Sequence, residues 1–184
     1  MSQRDSGYER RAADLYETPA WVTEALLPHL PPPDEVHDVL EPACGSGKMV
    51  AVLECGGYSV TANDIDKGED FLKPKWESGL YDAIITNPPY ELAREFIEKA
   101  LTMADHVAML LRTDFDHAKT RQHLFGQCPQ FAKKVVLTKR IRWFEDSTGS
   151  PSFNHAWYLW NSTHKGPPTL AYAPLPTNER GDAA

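Results

Sequence analysis

Four consecutive residues, Asn87-Pro88-Pro89-Tyr90, carry the densest chemical information in this 184-residue chain. A residue before proline is pushed toward extended backbone, so Asn87 stays in line with the strand that leads into it. The two prolines fix φ and remove two N–H groups. What remains is a stiff edge of acceptors, the Asn87 side-chain oxygen and the Pro88 carbonyl. Two acceptors side by side suit a planar NH2 group. The Tyr90 ring offers a surface on which a planar base can stack, worth roughly 1–3 kcal/mol per base. These features fit reaction at an exocyclic amine. The lone pair of such an amine is delocalised into its ring, so the amine is a poor nucleophile. Two hydrogen bonds from its N–H groups draw the nitrogen toward tetrahedral geometry. The same acceptors stabilise the positive charge that develops during attack. Taken alone, the four residues would also serve as a rigid corner between a strand and a loop.

A second candidate is the loop Glu41-Pro42-Ala43-Cys44-Gly45-Ser46-Gly47-Lys48. Glycines spaced G-x-G allow a tight turn and close approach of backbone to a ligand. The phosphate-loop pattern fails, because it needs Gly where Pro42 stands and Ser or Thr where Met49 stands. The dinucleotide pattern is incomplete, because its third glycine falls at Val50. Asp64 follows Gly45 by 19 residues, where a carboxylate can hold the two hydroxyls of a ribose. A plain turn beside a solvated acid fits the G-x-G equally well.

Alternating elements must position these residues. Thr18 and Pro19 open a helix over 18–30, with Thr18 as N-cap, stopped by Pro31-Pro32-Pro33. Strands are expected over 36–40, 59–63, 81–86, 107–111, 134–138 and 156–160. Helices are expected over 48–55, stopped by Gly56-Gly57, and over 92–103, with 115–125 weakly helical and 71–76 ambiguous. Strands alternating with helices imply a mostly parallel sheet covered on both faces, with ligands beyond the carboxyl ends of its strands. Residues 1–13 are expected to be a flexible arm, 14–165 the folded domain, and the Pro/Gly-rich tail 166–184 largely irregular.

Composition narrows the class. Apolar residues make up 41% and charged residues 24%, which excludes a wholly disordered chain. No apolar run approaches the ~18 residues of a membrane span. The amino terminus lacks the apolar core of a signal peptide. Cys44, Cys55 and Cys128 form neither a disulfide framework nor a zinc site, and His117, His123 and Cys128 make no convincing metal set. A cytoplasmic location with no metal is expected. Net charge is −7, but residues 112–142 hold eight Lys and Arg against two Asp. That segment suggests one face meant for a polyanion, or a solvated basic surface.

The glycine loop resembles the first motif of class I methyltransferases that use S-adenosylmethionine (SAM), and Asn87-Pro88-Pro89-Tyr90 resembles the catalytic motif of amino-methyltransferases, chiefly the N6-adenine DNA enzymes. The resemblance covers roughly residues 14–161. It implies a Rossmann-like class I methyltransferase fold, a seven-stranded, mostly parallel sheet with an antiparallel last strand. It implies SAM as cofactor, with the loop from Glu41, Pro42 and Ala43 to Gly45 and Gly47 against its methionine part. Asp64 would take the ribose, and Asp70-Phe71 the adenine. Asp14, Tyr16, Thr18 and Pro19 look like the family's N-terminal D-x-Y-x-T-P element, which closes over the cofactor.

The end of the chain is similar to small phage and prophage-type adenine methyltransferases. Lys133, Lys134, Lys139, Arg140 and Arg142 flank the strand expected over 134–138 and lead into Ile141, Trp143 and Phe144, a mix of basic and aromatic residues that suits a nucleic-acid backbone and unstacked bases. By the resemblance, the late hairpin helps hold a flipped base, and Phe153 touches its edge. Trp157 and Trp160 are expected in the core. The implied activity is methyl transfer from SAM to the N6 amine of adenine in DNA. Protein glutamine, RNA adenine, or an inactive partner subunit are the alternatives. Only residues 113–132 and 144–155 are free to read DNA, so specificity is short or loose, or comes from a partner protein.

Overall fold

The apolar strands of this chain are short and bounded by turn residues, and they assemble into one sheet. In the computed structural model, which describes residues 16–143 and 153–174, seven strands are present. They are β1 (Asp38–Glu41), β2 (Ser59–Ala62), β3 (Ala83–Thr86), β4 (His106–Arg112), β5 (Phe131–Val136), β6 (His155–Asn161) and β7 (Thr169–Tyr172). Their spatial order is β2-β1-β3-β4-β6-β5-β7. Only β6 runs against its neighbours, pairing antiparallel with β4 and β5. β7 pairs parallel with β5, so the antiparallel strand is the last but one. The tail from Gly166, expected to be largely irregular, thus begins with a strand.

Among the described residues three α-helices flank the sheet: α1 (Ala20–Glu24), α2 (Lys48–Cys55) and α3 (Ala93–Ala100). α2 keeps the expected bounds because Gly47 caps its start and Gly56-Gly57 ends it, with Gly57 at φ +94°. α3 buries Ala93, Phe96, Ile97 and Ala100, a helical spacing that puts one apolar stripe on the sheet. The expected helix over 18–30 is shorter. α1 ends at Glu24, and Leu27–His29 tightens into a 3-10 turn around Pro28. Residues 115–125 hold two 3-10 segments, Phe115–His117 and Lys119–Leu124, in place of an α-helix. Between β2 and β3, residues 63–82 carry only a 3-10 turn, Ile65–Lys67, and β2 is an edge strand.

The sheet separates two apolar layers. One joins α1 and α2 to Val39, Ile85, Leu110, Val135 and Trp157. The other joins α3 to Leu40, Ile84, Met109, Tyr158 and Trp160. Trp157 and Trp160 are core residues, fully screened from solvent. Each finds a partner for its ring N–H: Trp157 Nε1 donates to Val22 O at 2.8 Å, and Trp160 Nε1 to Leu124 O at 2.7 Å. Among the described residues no helix is long and apolar enough to cross a membrane.

Trp157 therefore fixes α1 to the sheet by packing and by one buried hydrogen bond. Trp157→Ala is expected to cost about 3–5 kcal/mol of stability. Trp157→Phe keeps most of the packing but orphans the Val22 carbonyl, at about 1–3 kcal/mol. Urea unfolding followed by circular dichroism measures both. Equal, small losses for the two variants would contradict this role.

Candidate active site

The carboxyl ends of β1, β2 and β3 meet in a cleft. Its floor is the glycine loop that joins β1 to α2. Gly45 and Gly47 sit at φ +50° and +87°, a left-handed backbone that side chains disfavour. A methyl group on Gly45 would meet nothing within 4 Å, so the backbone there borders open space. The loop is tied down from both sides. Gly47 N–H donates to Cys44 O at 2.8 Å, and Cys44 N–H to Asn63 O at 2.9 Å.

Asp64 sits at the carboxyl end of β2, nearly buried. Its Oδ2 accepts from Gly45 N–H at 2.8 Å, and its Oδ1 from Asp66 N–H at 3.0 Å. Two backbone donors thus orient the carboxylate, and each oxygen retains a further lone-pair direction. Glu41, at the end of β1, is buried more deeply. Its Oε1 accepts from Thr86 Oγ1 at 2.5 Å and from Ala43 N–H at 3.2 Å, while Oε2 has no partner. Burial pushes the Glu41 carboxyl up to about 8. The bonds from Thr86 and Ala43 oppose that shift, and the Asp64 charge adds to it. A buried carboxyl with one unsatisfied oxygen, lining a cleft, is a site for a donor or a cation.

Asn87 ends the β3 segment, and its amide orientation is dictated by its neighbours. Nδ2 lies 3.3 Å from Tyr16 O and 3.2 Å from Thr18 Oγ1. A carbonyl oxygen can only accept, so the NH2 side of the amide must face Tyr16. The Asn87 oxygen is therefore turned away from the N-terminal segment. Thr18, expected as the N-cap of α1, spends its side chain here, and Pro19 holds the N-cap position with no side-chain bond. Glu17 pairs with Lys48 at 2.7 Å, joining the same segment to the first turn of α2.

Of the residues expected around a cofactor, Tyr16, Thr18, Glu41, Pro42, Ala43 and Gly45 line the cleft together with Asp64, Asp70 and Phe71. Pro19 and Gly47 do not, since Pro19 opens α1 and Gly47 caps α2. Asp14 lies outside the described residues. Asp70 accepts from Leu72 N–H at 3.0 Å, and Phe71 is a core residue packed on Phe96. Asn87 and Pro89 border the same cleft. Pro88 is buried behind them, and Tyr90 is 43% exposed.

Arg112, at the end of β4, was not singled out by sequence and links Tyr90 to Phe153. Its guanidinium carbon lies 3.9 Å from the Phe153 ring centre and 5.5 Å from that of Tyr90. Arg112 donates two bonds to the Asp114 carboxylate, at 3.1 and 2.7 Å, which hold it. The only sequence signal was a basic residue closing an apolar strand. The basic segment 112–142 does not form one face. Lys134 is paired with Asp116 at 2.7 Å, and Lys133 lies at the opposite end of the strands. Arg140 donates to Asn154 Oδ1 at 2.9 Å beside Phe153, Lys139 lies over Trp21, and Arg142 is exposed. Trp143 contacts both Tyr16 and His155.

No family model matches the sequence, and no curated protein matches it. Solved structures do match its fold. A protein assigned as a class I SAM-dependent methyltransferase from Listeria monocytogenes superposes with a TM-score of 0.53 at 14% identity, over 84% of this chain and 62% of that one. A predicted O-methyltransferase from Agrobacterium tumefaciens gives 0.54 at 15% identity and covers 91% of both chains. The methyltransferase subunit of a type I restriction-modification system from Streptococcus thermophilus gives 0.53 at 11% identity, over 81% of this chain and 45% of that one. This chain thus spans less than two thirds of the Listeria protein and under half of the Streptococcus subunit. The likeness is one of fold, and the expected Rossmann-like methyltransferase fold is present.

The Glu41 carboxyl makes stability depend on pH. Its folded value, about 8, lies above the ordinary 4.5, so its contribution is full at low pH and is lost as pH rises through 8. His155 acts oppositely. Burial, and next to it Arg112, lower its imidazole from 6.5 to about 4, so its contribution grows as pH rises between those values. Above pH 6.5 the Glu41 effect dominates the pair. Glu41→Gln should flatten the fall in unfolding free energy between pH 6.5 and 8, a fall of at most about 1.4 kcal/mol per pH unit. Denaturant titrations across that window test it, and parallel slopes for the two proteins would contradict it.

Proposed function

We propose that this protein transfers a methyl group from SAM to the exocyclic N6 amine of adenine in DNA. The observation that carries the reading is the fixed amide of Asn87. Its NH2 side is consumed by Tyr16 and Thr18, so only an acceptor is left for a substrate. An acceptor beside the Pro88 carbonyl fits an incoming amine and rejects a carbonyl.

The residues of the cleft fit SAM. The unsatisfied Oε2 of Glu41 suits the cofactor's ammonium, and the open backbone at Gly45 suits close approach of its methionine part. Asp64 and Asp70 would take the ribose and the adenine, with Phe71 behind them. When bound, SAM supplies an electrophilic methyl group on a sulfonium. Asn87 and the Pro88 carbonyl hold the target amine and stabilise the charge on its nitrogen. No strong general base is needed, because the methylated ammonium is acidic and releases its proton afterwards. Tyr90 stacks on the base, which must first leave the DNA stack at a cost of a few kcal/mol. Phe153 meets the base edge, and Lys139, Arg140 and Arg142 meet phosphates. Sequence reading comes in part from a partner protein. The neighbour from Streptococcus thermophilus, which this chain spans by less than half, is itself described as one subunit of a restriction-modification system.

Two substitutions separate binding from chemistry. Asp64→Ala should weaken SAM binding in calorimetry by about 1–3 kcal/mol, the usual cost of orphaned bonds to a charged group. Asn87→Ala should cut turnover on adenine at saturating SAM by ~10²-fold or more, beyond the change in SAM affinity that release of Tyr16 and Thr18 brings. Turnover near wild type in Asn87→Ala would rule out the amine clamp.

Reversing Arg140 and Arg142 to Glu should weaken DNA binding and reduce its salt dependence, with SAM affinity unchanged. Fluorescence anisotropy at several salt concentrations reads this. Unchanged DNA affinity would mark these residues as a solvated surface.

A further inference from the structure

At the amino ends of the strands, away from the glycine loop, the sheet holds a second hollow of about 400 Å³. Its origin is the brevity of the helical layer. α1 and the 3-10 turn after it stop at Pro31-Pro32-Pro33, so the face beneath them is roofed only in part. Parallel sheets are ordinarily covered on both faces. The floor comes from Ala83, Ile85, Ala108 and Leu159, with His106 and Lys133 among them, and Pro28 to Pro31 form the roof. The size is that of a small-molecule site.

The polar groups in this hollow are mostly of one kind. Lys133 makes no ion pair among the described residues, unlike its neighbour Lys134. His29 reaches in from the roof, and its proton affinity is lowered by burial and then by the Lys133 charge. His106 is lowered by burial too, against Asp105, Asp82 and Glu35 on its side. Two of those acids are already engaged. Asp82 accepts from the His37 and Asp38 N–H groups, and Asp105 accepts from Ser162 Oγ. His29 and Lys133 therefore line one hollow near enough for the lysine charge to act on the imidazole, and among the described residues no carboxylate lines it.

We propose that this hollow binds an amphipathic organic anion, its head between Lys133 Nζ and the His29 ring and its apolar body on Ala108 and Leu159. The chemical class is a carboxylate, sulfonate or phosphate monoester carried on a ring or short chain. Roof and floor together enclose such a molecule, and the head relieves the unpaired positive charge. The site is independent of methyl transfer.

The probe is 8-anilinonaphthalene-1-sulfonate, compared with its uncharged counterpart N-phenyl-1-naphthylamine, on the full chain. Fluorescence titration should give saturable binding of the sulfonate. The ring-proton NMR signals of His29 and His106 should shift with it. Lys133→Gln should weaken the sulfonate ~10-fold, the loss expected for one charge-assisted bond, and leave the uncharged dye unchanged. His29→Gln, on the turn that forms the roof, should weaken it in the same sense. No binding, equal affinity in Lys133→Gln, or binding without a shift of the His29 signal would each overturn the proposal.

Discussion

The site depends on one hydrogen-bonding constraint: the Asn87 amide must turn its nitrogen toward Tyr16, because a backbone carbonyl cannot donate. That choice fixes where the oxygen points. It also explains why residues 16–18 take the path they do. Thr18 gives up its N-cap role to become the second acceptor. Glu17 reaches Lys48, and the Tyr16 ring packs on Trp143. Four stretches of chain are thereby drawn to the end of β3: the N-terminal segment, the glycine loop, the strand itself, and the turn after β5.

Around that point the electrostatics divide. Glu41 and Asp64 approach one another at the ends of adjacent strands, and the deeper one carries the cost of burial. Holding Glu41 protonated near neutrality avoids two buried charges side by side. A cation in the cleft would reverse that balance, since the unsatisfied Oε2 would gain a charged partner. On the outer side, the Arg112 guanidinium bridges Tyr90 and Phe153, anchored by Asp114. Glu41 and Asp64 share one cleft with Asn87, while Tyr90 and Phe153 meet across Arg112.

Much of this was legible in the sequence where local chemistry dictated structure. α2 has the bounds its flanking glycines imply, and the apolar runs of β3, β4 and β6 fall within a residue or two of expectation. Failures came where tertiary partners overrode local preference. Thr18 reads as an N-cap until Asn87 competes for it. The first helix is cut short by Pro28, which tightens the turn before the triple proline. β7 was missed because Thr169–Tyr172 is short, follows Gly166-Pro167-Pro168, and gains its order only from pairing with β5. Arg112 was hidden because nothing local distinguishes it from a solvated arginine. Its role comes from Asp114 and a ring 41 residues later.

Fold and site stand at different distances from function. The fold is shared with methyltransferases of several substrates, so it says little about which nitrogen, oxygen or polymer is modified. The substrate assignment rests on the acceptor pair at Asn87 and Pro88 and on the aromatic wall beside it. The most direct test supplies SAM bearing a deuterated methyl group to the protein with DNA, RNA and protein extracts together. Each fraction is then digested to nucleosides or amino acids for mass spectrometry. The account predicts the heavy methyl on N6 of deoxyadenosine. Label confined to glutamine, or on no amine at all, would contradict it.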